Sequence, residues 1–282
     1  MRNNRRNRND RGISWVPFAI AGGVVLAIVT VVVIVLLLQP KRVPINVADI
    51  TNIQPKASNI TKVGDYYQYE DADNHMTSHL AIDVSSHQGE VDWKAVKKAG
   101  IDFVYIRLGL RGYESGALAL DDYYLENIKA ARKAGLNVGV YFFSQALTRE
   151  EVEEEADFVI ENLKGHDIDL QVVYDFELVQ VEGSRTLDTE GVDYTANAIA
   201  FCKKIQDAGY EPMIYTNGYF AENFYDMNIL SSYDIWFANY NEQPELSSGF
   251  AVWQYTEEGS IETAGLAPLD FDLIFVKENE DK

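Results

Sequence analysis

Cysteine occurs once, at Cys202, so neither an intrachain disulfide nor a cysteine-based zinc cluster is available. Its apolar helical neighbours Ala198, Ile199 and Ile205 mark it as a small buried residue. Histidine is scarce as well: His75, His79, His87 and His166. His75 and His79 stand four apart, yet in a segment without helical patterning, so no metal is expected there. His87 follows a strand and could line a cleft. Basic residues are outnumbered, with 24 Lys and Arg against 44 Asp and Glu and a formal charge of −20. That deficit argues against a nucleic-acid partner, because phosphate recognition rests on Lys and Arg. No glycine-rich phosphate loop follows the first strand-like run, which disfavours a doubly wound dinucleotide fold. With 47 % apolar and 12 % aromatic residues, a sizeable core is available and global disorder is excluded.

The charge is unevenly spread. Residues 1–42 carry seven Lys/Arg and one Asp, or +6, whereas residues 43–282 hold 17 Lys/Arg and 43 Asp/Glu, or −26. From Val16 to Leu38 no charge appears in 23 residues. As a helix this run would rise about 34 Å, enough to cross a hydrocarbon core of about 30 Å. It exceeds a signal-peptide core, and no small-residue cleavage site follows it. The expectation is a basic cytoplasmic tail over 1–15, a single transmembrane helix over 16–38 and an extracytoplasmic remainder, oriented by the larger basic cluster. The protein is thus expected in the cell membrane, held by one N-terminal helix. Residues 39–79, polar and interrupted by Pro44 and Pro55, read as a stalk. Residues 277–282 read as an acidic tail.

Between these ends the chain repeats a pattern. Gly100, Gly135, Gly165 and Gly209 each follow a segment of helical spacing and precede a β-rich apolar run. A glycine there suits the left-handed residue that ends a helix. One such helix places Tyr124, Ile128 and Ala131 on one face. Another opens on Thr148 and Glu151, a capping box, and its Glu150, Glu151, Glu153, Glu154 and Glu155 read as a solvated acidic face. Eight strands are expected: 81–85, 103–108, 138–143, 171–177, 213–216, 234–240, 250–255 and 271–276. Helices fill the first four gaps, a shorter segment at 218–227 fills the fifth, and the last two gaps are too short. The fold class is therefore α/β, an irregular (β/α)-barrel over residues 80–276 whose last strands are barely covered.

Active sites of such barrels lie at the C-terminal ends of the strands, and acidic residues collect there. The first strand ends on Asp83, the fourth on Asp175 and Glu177, and the last contains Asp270 and Asp272. Carboxylates in apolar strands are costly unless paired or functional. Asp175 and Glu177, two apart, face the same side of one strand, and like charges that close push their proton affinities apart. Glycoside hydrolysis uses such a set: an acid for the leaving oxygen and an anion for the oxocarbenium-like state. Strand-end carboxylates can equally serve as structural hydrogen-bond acceptors. Tyr141, Tyr215, Trp236, Tyr240, Trp253 and Tyr255 fall near strand ends and are candidates to pack against sugar rings or to fill the core. Arg107, ending the second strand, is a candidate partner for a site acid or a substrate carboxylate.

The motifs also carry a resemblance. Ala81-Ile82-Asp83-Val84-Ser85-Ser86-His87-Gln88-Gly89 followed by Val91-Asp92-Trp93 resembles the opening of the family 25 glycoside hydrolases, the lysozymes of bacteria, phages and some fungi. Phe103–Arg107, Gly139–Ser144, Tyr174–Glu177, Ile235–Tyr240, Trp253–Tyr255 and Leu269–Asp272 follow in that family's order. The resemblance covers about residues 80–276. It implies an eight-strand barrel with five helices and cleavage of the β-1,4 bond between N-acetylmuramic acid and N-acetylglucosamine. It implies peptidoglycan glycan strands as partner; the residues themselves, with few histidines and one buried cysteine, show no requirement for a metal or cofactor. By resemblance Glu177 is the general acid and Asp175 the neighbour that steadies the acetamido group or the attacking water. Asp83 and Asp270 match the other two site carboxylates. Asp272 stands where the family commonly has Asn, and Phe143 where many members have another residue. Retaining, inverting and substrate-assisted routes stay open. So do a glycan-binding barrel that does not cut and a hydrolase of chitin-like polymers, although the latter would need acids where Leu170 and Val173 stand.

Overall fold

The computed structural model describes residues 41–278. None of its helices is long and apolar enough to cross a membrane, and the expected anchor at 16–38 lies outside the described residues. The basic tail and the last four residues of the acidic tail lie outside them too.

Eleven strands form one sheet: β1 (Ile60–Val63), β2 (Tyr66–Asp71), β3 (Met76–Val84), β4 (Phe103–Arg111), β5 (Leu118–Leu120), β6 (Asn137–Ser144), β7 (Val172–Phe176), β8 (Pro212–Asn217), β9 (Asp234–Ala238), β10 (Val252–Ile261) and β11 (Leu266–Lys277). Pairing of β3 with β4 closes the ring β3-β4-β6-β7-β8-β9-β10-β11, an eight-strand barrel. All eight expected strands are in it. From β3 to β10 neighbours run parallel, but β11 is antiparallel to both β10 and β3. The tight turn at Glu262–Gly265 between β10 and β11 explains this, because a parallel return needs a crossover.

Six helices occur among the described residues: α1 (Trp93–Lys98), α2 (Tyr124–Ala134), α3 (Arg149–Leu163), α4 (Tyr194–Asp207), α5 (Gly218–Asn223) and α6 (Met227–Leu230). The expected five become six because the fifth crossover breaks at Phe224–Asp226, where Asp226 caps a new short helix through Asn228 N. On α2 the buried face is Tyr124, Ile128 and Ala131, as the spacing predicts. Thr148 caps α3 by accepting from Glu151 N. The acidic face expected on α3 needs correction. Glu155 is fully buried, accepting from Arg111 Nε at 2.7 Å and Ser144 Oγ at 2.6 Å.

The core has two parts. Between strands and helices pack residues such as Val172, Tyr174, Ile128, Val159 and Phe201. Inside the barrel lie Ala81, Phe103, Tyr105, Val173, Met213, Trp236, Val252 and Ile274. Period-two alternation decides the side: on β7, Tyr174 faces the helices, while Val173 and Asp175 face inward. Burying each large apolar side chain contributes about 1.5–3 kcal/mol. Gly139 leaves room for Tyr105, whose ring would lie 2.5 Å from a Cβ there.

The segment expected as a stalk is built differently. β1 and β2 form a hairpin that continues the sheet from β3, with Tyr69 packed edge-on to Phe275. Upstream, residues 42–53 cross the floor of the barrel at the N-terminal ends of its parallel strands. Arg42 pairs with Asp169 at 2.9 Å, and Val43 O accepts from Asn137 Nδ2 at 3.0 Å. Ile50 and Ile53 form bridges to Val276 and Phe250. Asn52 bonds Tyr233 O and Ile235 N across the start of β9. Val43 and Ile45 pack against the barrel's inner cluster. Enough apolar side chains sit among the polar ones to anchor every few residues, which a flexible coil would not provide.

Candidate active site

The opposite end of the barrel opens into a cavity of about 250 Å³ lined by carboxylates and aromatics. Asp83, Asp175, Glu177 and Asp270 all line it. Asp83 and Asp175 are the next-to-last residues of β3 and β7, and Glu177 lies one residue past β7. Asp270 reaches the same end by another route. It lies near the start of β11, directly opposite Asp83, because that strand runs backwards.

Every one of the four carboxyls holds its proton more tightly than an ordinary acid. Burial raises Asp83 well above the usual range, and the nearby Asp270 and Asp272 add to it. Burial also raises Asp270 to about 6, reinforced by Glu257 and Glu177. Asp175 is raised by burial and then by the charge of Glu177, with Arg107 opposing. Glu177 is raised by burial, while a hydrogen bond with Asp175 pulls it partly back. Both carboxyls therefore hold their protons to higher pH than isolated ones would. Asp175 Oδ1 is buried and has no hydrogen-bond partner among the described residues.

Around the acids stand Tyr141, Tyr215, Trp236 and Tyr240. Trp236 forms part of the floor: its Nε1 donates to Asp272 Oδ1 at 2.8 Å, and the rings of Tyr141 and Tyr215 meet it edge-on, each at 88°. Asp272 shares the inward face with Asp270 and is fully buried, its proton held by burial and by the charge of Asp270. It therefore sits inside the barrel, turned toward neither a loop nor solvent. Arg107 lines the cavity, bonded to Asp121 through Nε at 2.8 Å and to Ser86 Oγ at 2.9 Å. His87 and Phe143 line it as well.

Trp253 and Tyr255 are not brought into the cavity. Both pack outside the barrel wall against Tyr67 of β2, each with ring centroids 5.1 Å apart. Trp253 Nε1 donates to Asn239 O at 2.6 Å. The residue between them, Gln254, faces inward instead. Its Nε2 donates to Asp83 Oδ2 at 2.9 Å, and its Oε1 accepts from the hydroxyls of Tyr215 and Tyr240 at 3.3 and 3.1 Å. Sequence reasoning missed Gln254 because it treated the aromatic phase as the site phase. It also missed Gln145, fully buried, whose Nε2 donates to the backbone oxygen of Glu177 at 2.6 Å. Glu257, on the rim and accepting from Tyr240, is a third. Inward-facing polar side chains in period two were the signal for Gln254; nothing local marks Gln145.

Four clustered carboxyls of raised proton affinity at the mouth of an α/β-barrel define a glycan-hydrolase type of site. The family described as glycosyl hydrolases family 25 matches residues 82–264. The chain belongs to this family. It is 28 % identical over 194 residues to the autolytic lysozyme of Clostridium acetobutylicum, covering 67 % of this chain and 54 % of that one. It thus spans about half the length of that relative. The CTP1L endolysin superposes with a TM-score of 0.58 at 25 % identity, covering 70 % of this chain and 66 % of the other. A family 25 glycosyl hydrolase from Bacillus anthracis shares the fold at 21 % identity and a TM-score of 0.58, covering 78 % and 97 %. The modular autolysin LytC from Streptococcus pneumoniae, solved with a synthetic peptidoglycan ligand, shares it at 19 % and 0.63, covering 76 % and 52 %.

Proposed function

We propose that the protein cleaves the β-1,4 bond between N-acetylmuramic acid and N-acetylglucosamine in peptidoglycan, with Glu177 as the general acid. The observation that carries this reading is that Asp175 and Glu177, two apart at the end of β7, line one cavity with two further acids, Asp83 and Asp270. A proton retained by that pair is available to the glycosidic oxygen near neutral pH. Family membership and the likeness to a peptidoglycan-bound autolysin support the choice of polymer.

Glu177 protonates the leaving oxygen as the bond to the anomeric carbon breaks. Of the three routes open to such a site, the resemblance to family 25 favours participation by the substrate's own acetamido group. The acetamido oxygen of the muramic acid then closes on the anomeric carbon, and Asp175 accepts a hydrogen bond from the acetamido N–H. Water opens the resulting ring and returns its proton to Glu177. Asp83 and Asp270 add negative potential beneath the developing positive charge. Tyr141, Tyr215, Trp236 and Tyr240 line the sugar's site. Anchoring through residues 16–38 places the enzyme at the cell membrane with its barrel outside; this rests on the charge-free run and the basic cluster before it.

The test is digestion of purified peptidoglycan in ¹⁸O-labelled water with the purified full chain, read by mass spectrometry for the bond cut and by proton NMR during the first minutes for the anomer first formed. Muropeptides ending in reducing, singly labelled muramic acid of retained configuration are expected. Reducing N-acetylglucosamine ends would reject the bond assignment, inverted configuration the acetamido route, and binding without products would favour a glycan-holding barrel.

A further inference from the structure

A second hollow, of about 410 Å³, adjoins the first and shares a single lining residue with it, Glu177. Its other walls come from the chain after β7, Leu178 and Gln180, and from the end of β8 and the start of α5, Asn217, Tyr219 and Phe220. Glu177 thus stands on the partition between two hollows of different chemistry.

The first hollow holds Asp83, Asp175 and Asp270, with Arg107 the only cation lining either hollow among the described residues. The second contains no charged group except Glu177 itself. It offers a large aromatic ring, two side-chain amides and two apolar residues. Tyr219 is 64 % exposed, among the most exposed large aromatics, yet its ring is braced edge-on against Phe224 at 5.6 Å. The Asn217 side-chain oxygen is already taken by Phe220 N at 2.9 Å, so what it can offer a ligand is its N–H groups.

A general acid must lie beside the oxygen that joins two sugars, with one sugar on each side of it. The side rich in carboxylates suits the sugar that becomes positively charged. The neutral, aromatic side suits the sugar that leaves as an alcohol, through ring-face packing and amide hydrogen bonds. The same polarity sorts the two sugars of the polymer. The sugar that carries the developing cation fits the side that holds the acids, and a neutral N-acetylhexosamine fits the side that holds no charge but Glu177.

We propose that the hollow formed by Tyr219, Gln180 and Asn217 is the binding site for the departing sugar, an N-acetylglucosamine residue seated on the Tyr219 ring. This rests on the muramidase reading above and fixes the direction in which a glycan strand lies across Glu177.

The test compares two substrates. One is a purified peptidoglycan glycan strand; the other is a disaccharyl fluoride of N-acetylglucosaminyl-N-acetylmuramic acid, whose leaving group is too small to use the second hollow. In the full chain, Tyr219→Ala is expected to lower kcat/KM on strands about tenfold or more and to leave the fluoride unchanged. Tyr219→Trp is expected to restore most of the loss. An equal fall on both substrates, or no fall on strands, overturns the assignment. Wild-type protein that cleaves neither substrate refutes the muramidase reading instead, before any variant is compared.

Discussion

The two ends of the barrel treat carboxylates in opposite ways. At the floor each acid is answered. Asp169 is bonded by Arg42 and Arg132, at 2.9 and 2.8 Å, and Asp102 by Lys97. Asp234 accepts from Gln171 Nε2 at 2.9 Å, and Gln171 in turn accepts from Tyr105. At the mouth, four acids, Asp83 and Asp175 buried and Glu177 and Asp270 half-buried, share the space with one arginine, and that arginine is already committed to Asp121. Like charges held in a site of low polarity disfavour the folded state unless some are neutralised by protons. The floor therefore contributes stability, whereas the mouth costs it and gains reactivity in exchange. Raised proton affinities cluster at the mouth, in Asp83, Asp175, Glu177, Asp270 and Asp272, whereas at the floor and on the outer wall burial raises Asp234 and Glu155 singly.

Substitutions can break this contrast. Glu177→Gln is expected to lower kcat on peptidoglycan by about 10²–10⁴-fold. Its melting temperature should stay level or rise, because a buried acid is removed; a large fall in stability would place Glu177 with the structural acids. Next in size is Arg111→Met, on the outer wall, which leaves Glu155 buried without its cation. A loss of about 3–5 kcal/mol is expected in urea unfolding, and a loss near zero would show that Ser144 alone satisfies Glu155.

The third effect concerns pH. Burial pushes Glu155 up to about 7, and Asp270 and Asp234 to about 6. Groups raised on folding favour the native state at low pH, and that contribution is lost as pH rises through their folded values. Asp71 and Glu151, held below their ordinary values by Lys56 and Arg185, oppose this only in stronger acid. The melting temperature should therefore be higher near about pH 5 than near about pH 8, by differential scanning calorimetry. Asp270→Asn should flatten that slope, whereas an unchanged slope would assign it to the outer wall. Smallest is Asp169→Asn at the floor. Its partners are partly exposed, so about 1 kcal/mol or less is expected, and a gain in stability would overturn the contrast from the other side.

Most of the barrel strands were legible because parallel strands buried on both faces read as apolar runs, several of them announced by the glycine that ends the preceding helix. The four acids were legible because carboxylates in such runs stand out. The direction of β11 was hidden, since an apolar run looks the same in either direction; what decides it is the fifteen-odd residues before it (~256–270), which extend both strands rather than forming a loop. The β1–β2 hairpin was hidden because its strands bury little, with only Tyr69 and Asp71 fully covered. In Trp253-Gln254-Tyr255 the usual expectation fails for a physical reason. The mouth of this barrel is polar inside, so the aromatics take the wall and the amide takes the cavity.

The course of residues 42–53 across the floor has a mechanical meaning. Arg42 and Val43 lie against the barrel at the end remote from Glu177. A pull from upstream would reach the fold first at the Arg42–Asp169 pair and at the Val43–Asn137 bond. Those contacts, with the Ile50 and Ile53 bridges behind them, would yield in turn before tension reached the strands that carry the acids. The floor would then act as a shock absorber between a load applied at Arg42 and the machinery at the mouth.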